Sequence, residues 1–191
     1  MKKVLLLAVS LMITIMANAQ VSVQMGFVLN TLKSTVKVEN TDVGRFSGSY
    51  RGLMAVVDYN IHLTDYLGVA PGLGIDYSFN NQSGLRDREL GLFAPVDINY
   101  CLSMNDSFSL TLFAGPTFYY GLFSKNINTN YDYFENESKR FDVSLGGGFW
   151  IDVMEHIRVK VGYKFGMLDI SKIANITGRS NFLSISVGYV F

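Results

Sequence analysis

The stretch Asn181-Phe182-Leu183-Ser184-Ile185-Ser186-Val187-Gly188-Tyr189-Val190-Phe191 alternates without a break. Leu183, Ile185, Val187, Tyr189 and Phe191 fall on one side of an extended chain and Ser184, Ser186 and Gly188 on the other. That spacing predicts a β-strand with one greasy face and one small, polar face. The segment before it repeats the pattern with charge: Ile157, Val159, Val161, Tyr163, Phe165 and Met167 alternate with Arg158, Lys160, Gly162 and Lys164. A pair of strands patterned this way separates an apolar side from a polar one.

Six more segments carry the same period. Strand one runs Val21 to Leu29, with Val21, Val23, Met25, Phe27 and Leu29 on one face, and the polar stretch Asn30 to Arg45 reads as a surface loop. Strand two, about Ser47 to Ile61, turns at His62-Leu63-Thr64-Asp65 into strand three, Tyr66 to Phe79, one face of which is nearly all Gly and Ala. After a polar loop, Asn80 to Arg88, strand four runs Glu89 to Leu102 and turns at Ser103-Met104-Asn105-Asp106. Strand five, Ser107 to Phe123, leads into the longest loop, Ser124 to Lys139; strand six, Arg140 to Val153, turns at Met154-Glu155-His156 into strand seven; and Ser171 to Arg179 is the last loop. Short turns after strands two, four and six thus alternate with long loops after one, three, five and seven. The rhythm predicts an all-β, eight-stranded antiparallel up-and-down barrel with both termini at the short-turn end.

Residues 1–19 open with Lys2 and Lys3, continue in an apolar run from Val4 to Met16 and end in the small-residue site Ala17-Asn18-Ala19. They read as a secretory signal peptide, leaving residues 20–191 as one barrel domain. No later segment reaches the roughly 18 consecutive apolar residues of a spanning helix, so any span is built of strands. The chain balances 16 basic against 16 acidic residues, and removing Lys2 and Lys3 leaves about two net negative charges. There is no basic footprint for nucleic acid. The single Cys101 lies in an alternating segment as an inert residue, and no cofactor or metal motif appears.

Alternation alone also fits a soluble periplasmic lipocalin-like binder, and size decides between the two. The interior of eight strands is just wide enough for side chains to fill, so Gly, Ala, Ser and charged residues belong inside. The Leu, Val, Ile and Phe band then belongs outside, where it far exceeds the few hundred Å² a soluble monomer tolerates. A transmembrane β-barrel in outer-membrane lipid follows, closed so that no strand edge is left in hydrocarbon. Tyr59, Tyr100, Phe108, Tyr189 and Phe191 near the short turns and Tyr77, Phe79, Phe118 and Tyr120 near the loops form two interfacial girdles. Pro71, Pro95 and Pro116 fall inside strands, where each removes a ladder donor, and local bulges are expected there.

The segments Arg51-Gly52-Leu53, Asp65-Tyr66-Leu67-Gly68-Val69-Ala70-Pro71-Gly72-Leu73-Gly74, Phe93-Ala94-Pro95-Val96 and Phe113-Ala114-Gly115-Pro116 resemble the PorT-like outer-membrane β-barrel domain family. The likeness covers the whole mature chain. It implies an outer-membrane barrel with periplasmic termini and long extracellular loops, in a family that ranges from porin-like proteins to accessory factors in secretion. The closing strand is similar to those of bacterial outer-membrane barrels, which implies that Tyr189 and Phe191 belong to a signal read by the barrel-assembly machinery.

Three groups of residues are candidates for function. Parity places Asp58, Asp76, Asp97, Asp142 and Asp152 in the lumen with Arg158, Lys160 and Lys164. They read as a paired network that plugs the lumen, with the bases on strand seven meeting acids on strand six and about two carboxylates left for Gln24, Asn60, Asn99, water or protonation. The alternative is a proton or ion path. In the long loop, Tyr131, Tyr133 and Phe134 among acids are the candidate contact for an extracellular or envelope protein partner, set against aromatics merely packed on their neighbours. His62 and His156 both fall at short turns, away from the outer leaflet where lipid-modifying barrels would need a histidine. The chain therefore reads as a structural or surface-interaction barrel, neither enzyme nor transporter, with a secretion or envelope-assembly accessory factor as the alternative.

Overall fold

The computed structural model describes residues 19–38, 41–81, 86–105, 107–154 and 156–191. The signal-peptide reading of residues 1–19 lies almost wholly outside them. The strands are β1 (Ala19–Val38), β2 (Thr41–His62), β3 (Leu67–Asn80), β4 (Asp87–Asn105), β5 (Phe108–Asn126), β6 (Tyr131–Asp132), β7 (Phe141–Val153), β8 (Ile157–Gly166) and β9 (Ile176–Val190), with a single helical turn, α1 (Tyr133–Asn136), after β6. All neighbours are antiparallel. The order β4-β3-β2-β1-β9-β8-β7-β5, closed by β4–β5, makes a ring of eight, and β6 is a two-residue appendage on β5.

Period-two patterning fixes which face is which. Along β1, Ser22, Gln24, Val28 and Asn30 are buried while Val23, Met25, Phe27 and Leu29 are exposed. Along β9, Ser186 and Val190 are buried while Leu183, Ile185, Val187, Tyr189 and Phe191 are exposed. The apolar band thus faces outward around the ring and the small and polar residues fill the inside, the inverse of a water-soluble barrel. Trp150, 1 % exposed, is the largest side chain in the filling; it stacks on Phe113 with ring centroids 5.5 Å apart.

Two expectations are corrected. The polar segment Asn30 to Arg45 is no loop: β1 and β2 stay paired to Val38↔Thr41. Twenty residues at about 3.3 Å each, tilted by about 40°, rise about 50 Å along the barrel axis, against about 30 Å of hydrocarbon. The upper hairpin therefore stands in water, where polar side chains suit a strand as well as a loop. Bulges do not fall at the prolines. Register shifts occur at Val36/Lys37, Leu90/Gly91 and Ser103/Asn105, whereas the ladder resumes in unchanged register past Pro71 (Pro71↔Val96, then Gly74↔Phe93) and past Pro95 (Pro95↔Thr117, then Ile98↔Ala114). Pro116 pairs with Leu145 in a continuous ladder. A missing N–H costs local pairing without adding a residue, so each strand absorbs its proline by skipping a few ladder bonds.

Candidate functional site: the polar lumen and its mouths

Parity along β2, β3, β4, β7 and β8 delivers all eight candidate charged residues to the interior, in tiers. Nearest the short turns, Arg158 lies opposite Asp152 in the β7–β8 register and forms a fork, Nε to Oδ1 at 2.7 Å and Nη2 to Oδ2 at 2.9 Å. Its guanidinium rests 4.5 Å from the centroid of the Trp150 ring. Charge, hydrogen bonds and the aromatic face together satisfy a cation that is only 1 % exposed.

The middle tier departs from the adjacent-strand pairing expected for Lys160 and Lys164. Their opposite numbers on β7 are Trp150 and Gly146, neither of which carries charge. Both lysines cross the lumen instead: Lys164 Nζ lies 2.7 Å from Asp97 Oδ1, and Lys160 Nζ lies 3.2 Å from Asp97 Oδ2 and 3.5 Å from Asp58 Oδ2. Gln24 donates to Asp58 Oδ2 and Ser186 Oγ donates to Gln24 Oε1 at 2.9 Å. Lys160 Nζ also sits 4.5 Å from the Phe113 centroid. Asn99 donates to Asn60 rather than to a carboxylate.

Asp76 and Asp142 are buried but have no basic partner among the described residues. Asp76 Oδ2 accepts from Ser78 Oγ at 3.2 Å and Asp142 Oδ1 from the Val143 amide at 2.7 Å, while Asp76 Oδ1 and Asp142 Oδ2 accept nothing. Two further acids join them toward the long-loop end. Asp87 accepts from Asn126 Nδ2 at 2.8 Å and Tyr133 Oη at 2.9 Å; Glu89 accepts from Tyr119 Oη at 2.9 Å and Ser124 Oγ at 3.3 Å. Sequence reading placed Asp87 in a loop and left Glu89 at a strand start, although both share the odd parity of Asp97.

Helix α1 covers this mouth. Asp132 caps it, its Oδ1 accepting from the amides of Phe134 at 2.9 Å and Glu135 at 3.2 Å, and Lys172 donates to the carbonyls of Phe134 and Glu135. The Phe134 ring lies over Gly121, where any side chain would collide with it, and the Arg140 guanidinium lies 5.2 Å from its centroid. Phe134, 5 % exposed, is thus a roof rather than a contact surface, which corrects its place among the candidate contacts. Tyr133 is half-buried beside it; desolvation, with its bond to Asp87, pushes its phenol up to about 12. Tyr131 stays exposed, edge-on to Tyr133 at 5.3 Å, and its bond to Glu137 raises its pKa.

At the closing strand the Phe191 amide donates to the Val21 carbonyl at 2.9 Å, while the side chains of Tyr189 and Phe191 lie on the outer face in an edge-to-face pair 4.9 Å apart. His156 stacks on Tyr189 at 5.3 Å, and His62 lies beside Asn60 at the same end. Among the described residues no three acidic, histidine or cysteine side chains are grouped to hold a metal ion.

A closed ring with an apolar exterior and a charged, filled interior matches the outer membrane protein β-barrel domain over residues 5–191. The chain belongs to that family. Membership gives the exterior band its solvent, outer-membrane lipid, places the protein in the bacterial outer membrane and sets aside the soluble lipocalin-like alternative. Among solved structures, the barrel is similar to Neisserial surface protein A, at 16 % identity with 88 % of this chain and 96 % of that chain covered and a TM-score of 0.51. Similar folds also occur in the outer membrane protein OprG of Pseudomonas aeruginosa (15 % identity, 91 % and 96 % covered, TM-score 0.49). Another is Ail, the attachment invasion locus protein of Yersinia pestis (14 % identity, 91 % and 99 % covered, TM-score 0.47). No curated protein matches the sequence significantly.

Proposed function

We propose that this outer-membrane barrel is a surface-interaction protein whose protruding β1–β2 hairpin captures an extended segment of an extracellular or envelope protein. The carrying observation is an open strand edge. β2 meets β3 only from Arg51↔Phe79 onward, so among the described residues Thr41 to Tyr50 pair with β1 alone. Among the described residues no strand pairs with their other side, and Val43 and Phe46 stand exposed beside it. Such an edge recognises a partner by strand addition, backbone bonds supplying affinity and flanking side chains selectivity. Tyr131, exposed at the neighbouring mouth, adds to the same surface.

The long-loop end faces the cell exterior in this reading. Residues 1–19 are the cleaved signal and residues 20–191 the barrel, which sits in the PorT-like branch of the family. Tyr189 and Phe191 are handed to the barrel-assembly machinery. A lumen crossed by Lys160, Lys164, Arg158 and Trp150 supports a protein that does not transport, and the absence of any histidine from the long-loop end supports one that is not an enzyme. For the test, the protein is displayed on intact cells with a photo-crosslinker at position 43. A discrete adduct that disappears when Phe46→Lys is introduced, at unchanged surface level, is expected. No adduct with any envelope or medium protein would count against the reading, and collapse of protein secretion in a deletion strain would favour an accessory factor.

A further inference from the structure

One side of the barrel's outer wall carries cations without a counter-charge. Lys33 on β1 lies directly opposite Arg179 on β9 in an unbroken ladder, and both are exposed, sharing the outward parity of Leu29 and Leu183. Like charges facing one another across a strand pair are destabilising. No acid offsets them: the other residue opposite Lys33 is Ser47, and among the described residues neither side chain forms an ion pair or a hydrogen bond. Arg51 on β2 is exposed on the same face, opposite Leu29 on one side and Phe79 of the loop-end girdle on the other, again without an acid among the described residues. Lys33 stands four residues beyond Leu29, so the Lys33–Arg179 pair lies about 13 Å along the strand direction from Arg51.

Below these cations the wall is grooved. Phe27 and Leu29 of β1, Val161 of β8 and Leu183 and Ile185 of β9 line an outer groove of about 400 Å³, with Arg51 at its loop-side end. Outer-membrane lipid surrounds this wall, so a hydrocarbon chain is the occupant that the groove's apolar lining fits. Cations at the head of such a groove select an anion, and phosphate accepts paired N–H bonds from an arginine fork. A zwitterionic phospholipid brings a single phosphate together with its own cation. Uncompensated positive charge spread over about 13 Å of strand fits a head group with more than one phosphate.

We propose that this wall binds one phosphorylated glycolipid of the outer leaflet, an acyl chain lying in the groove, one phosphate on Arg51 and a second held between Lys33 and Arg179. The leaflet rests on the long-loop end facing the cell exterior, as in the reading above; the site itself does not depend on capture by the β2 edge.

The test is native mass spectrometry of the full mature barrel released from micelles containing bis-phosphorylated lipid A, monophosphorylated lipid A or phosphatidylcholine, with inorganic phosphate as competitor. One bis-phosphorylated lipid A retained per barrel is expected, with the monophosphorylated form held about tenfold more weakly, phosphatidylcholine not held and millimolar phosphate without effect. Arg51→Gln and Arg179→Gln should each weaken retention about tenfold, whereas Arg86→Gln, a cation off the groove, should not change it. In phosphatidylcholine vesicles Arg179→Gln should withstand urea at least as well as wild type, because it removes the like-charge contact with Lys33, so lost binding is not lost fold. If one variant fails to fold, the other carries the comparison. Equal retention of phosphatidylcholine, equal loss in all three variants, or displacement by inorganic phosphate would overturn the site. Labelling of Val43→Cys on intact cells by a membrane-impermeant maleimide tests the orientation separately; a residue 43 that stays unlabelled would overturn the outer-leaflet source even where lipid A is retained in micelles.

Discussion

Lys164 on β8 reaches across the barrel to Asp97 on β4, sixty-seven residues away in sequence, with Nζ 2.7 Å from Oδ1. Asp97 holds Lys160 on its other oxygen, so one carboxylate serves two ammonium groups at the centre of the lumen. Asp97→Ala should therefore destabilise the barrel more than Lys160→Ala or Lys164→Ala. Stranding one member of a buried pair costs about 3 to 5 kcal/mol; this change strands Lys164 and leaves Lys160 only its longer contact to Asp58. Urea unfolding in lipid vesicles gives the ranking; a cost for Asp97→Ala no larger than that of either lysine variant would show that the two pairs are not linked.

The filled lumen has an electrical consequence. Wild-type protein in planar bilayers should show no steady conductance, because Trp150, Phe113 and the central lysines occupy the bore. Steps of hundreds of picosiemens, an order-of-magnitude marker of a water-filled lumen, would sink this expectation.

Phe191 should matter for delivery more than for energy. Its ring is 73 % exposed and its amide makes one ladder bond to Val21. A chain lacking Phe191 should refold in detergent with nearly wild-type stability and yet fail to accumulate in the outer membrane of living cells. Normal surface levels of the truncated chain would refute the assembly role.

The α1 cap contains a titratable latch. The Tyr133 pKa is raised from the ordinary 10.0 to about 12 in the folded cap. An acid whose folded pKa is raised contributes stability that is complete below the unfolded value, so the Tyr133–Asp87 bond holds the cap below about pH 10 and releases it as pH passes about 12. The tyrosinate absorbance of wild type minus that of Tyr133→Phe should titrate near 12. A difference curve centred near 10 would mean that the phenol is neither buried in the cap nor held by Asp87.

Much of this architecture can be read from the chain before folding. The parity of Leu183 to Phe191 and of Ile157 to Lys164 announces two faces, and repetition of that parity announces the closed ring. The partners of Lys160 and Lys164 cannot be read the same way, since alternation fixes which face a side chain occupies but not how far around the ring it reaches. The hairpin above the membrane was hidden for another reason: once a strand leaves hydrocarbon it no longer needs an apolar face, and Asn30 to Arg45 looks like any solvated segment. Even so, Thr31, Thr35, Val36, Val38, Thr41 and Val43 form a run of β-branched residues that favours pairing. Asp87 and Glu89 were within reach of simple parity counted back from Asp97. The covering role of Phe134 was not, because it depends on the bare backbone of Gly121 beneath the ring.

The prolines leave the barrel with unequal walls. Where the ring closes, β1 and β9 pair through fifteen consecutive positions, Ser22↔Val190 to Val36↔Ile176, with no break in register. Diametrically across the ring, β4 and β5 pair with two register shifts and a gap beside Pro95 and Pro116, and β3 and β4 skip rungs beside Pro71. Uninterrupted ladders thus run from β1 through β9, β8 and β7 to β5, whereas β2–β3, β3–β4 and β4–β5 are each interrupted. Squeezed by the surrounding bilayer, the ring should yield first in the wall of β3 and β4, whose flanking ladders are interrupted, while the closing joint keeps its shape.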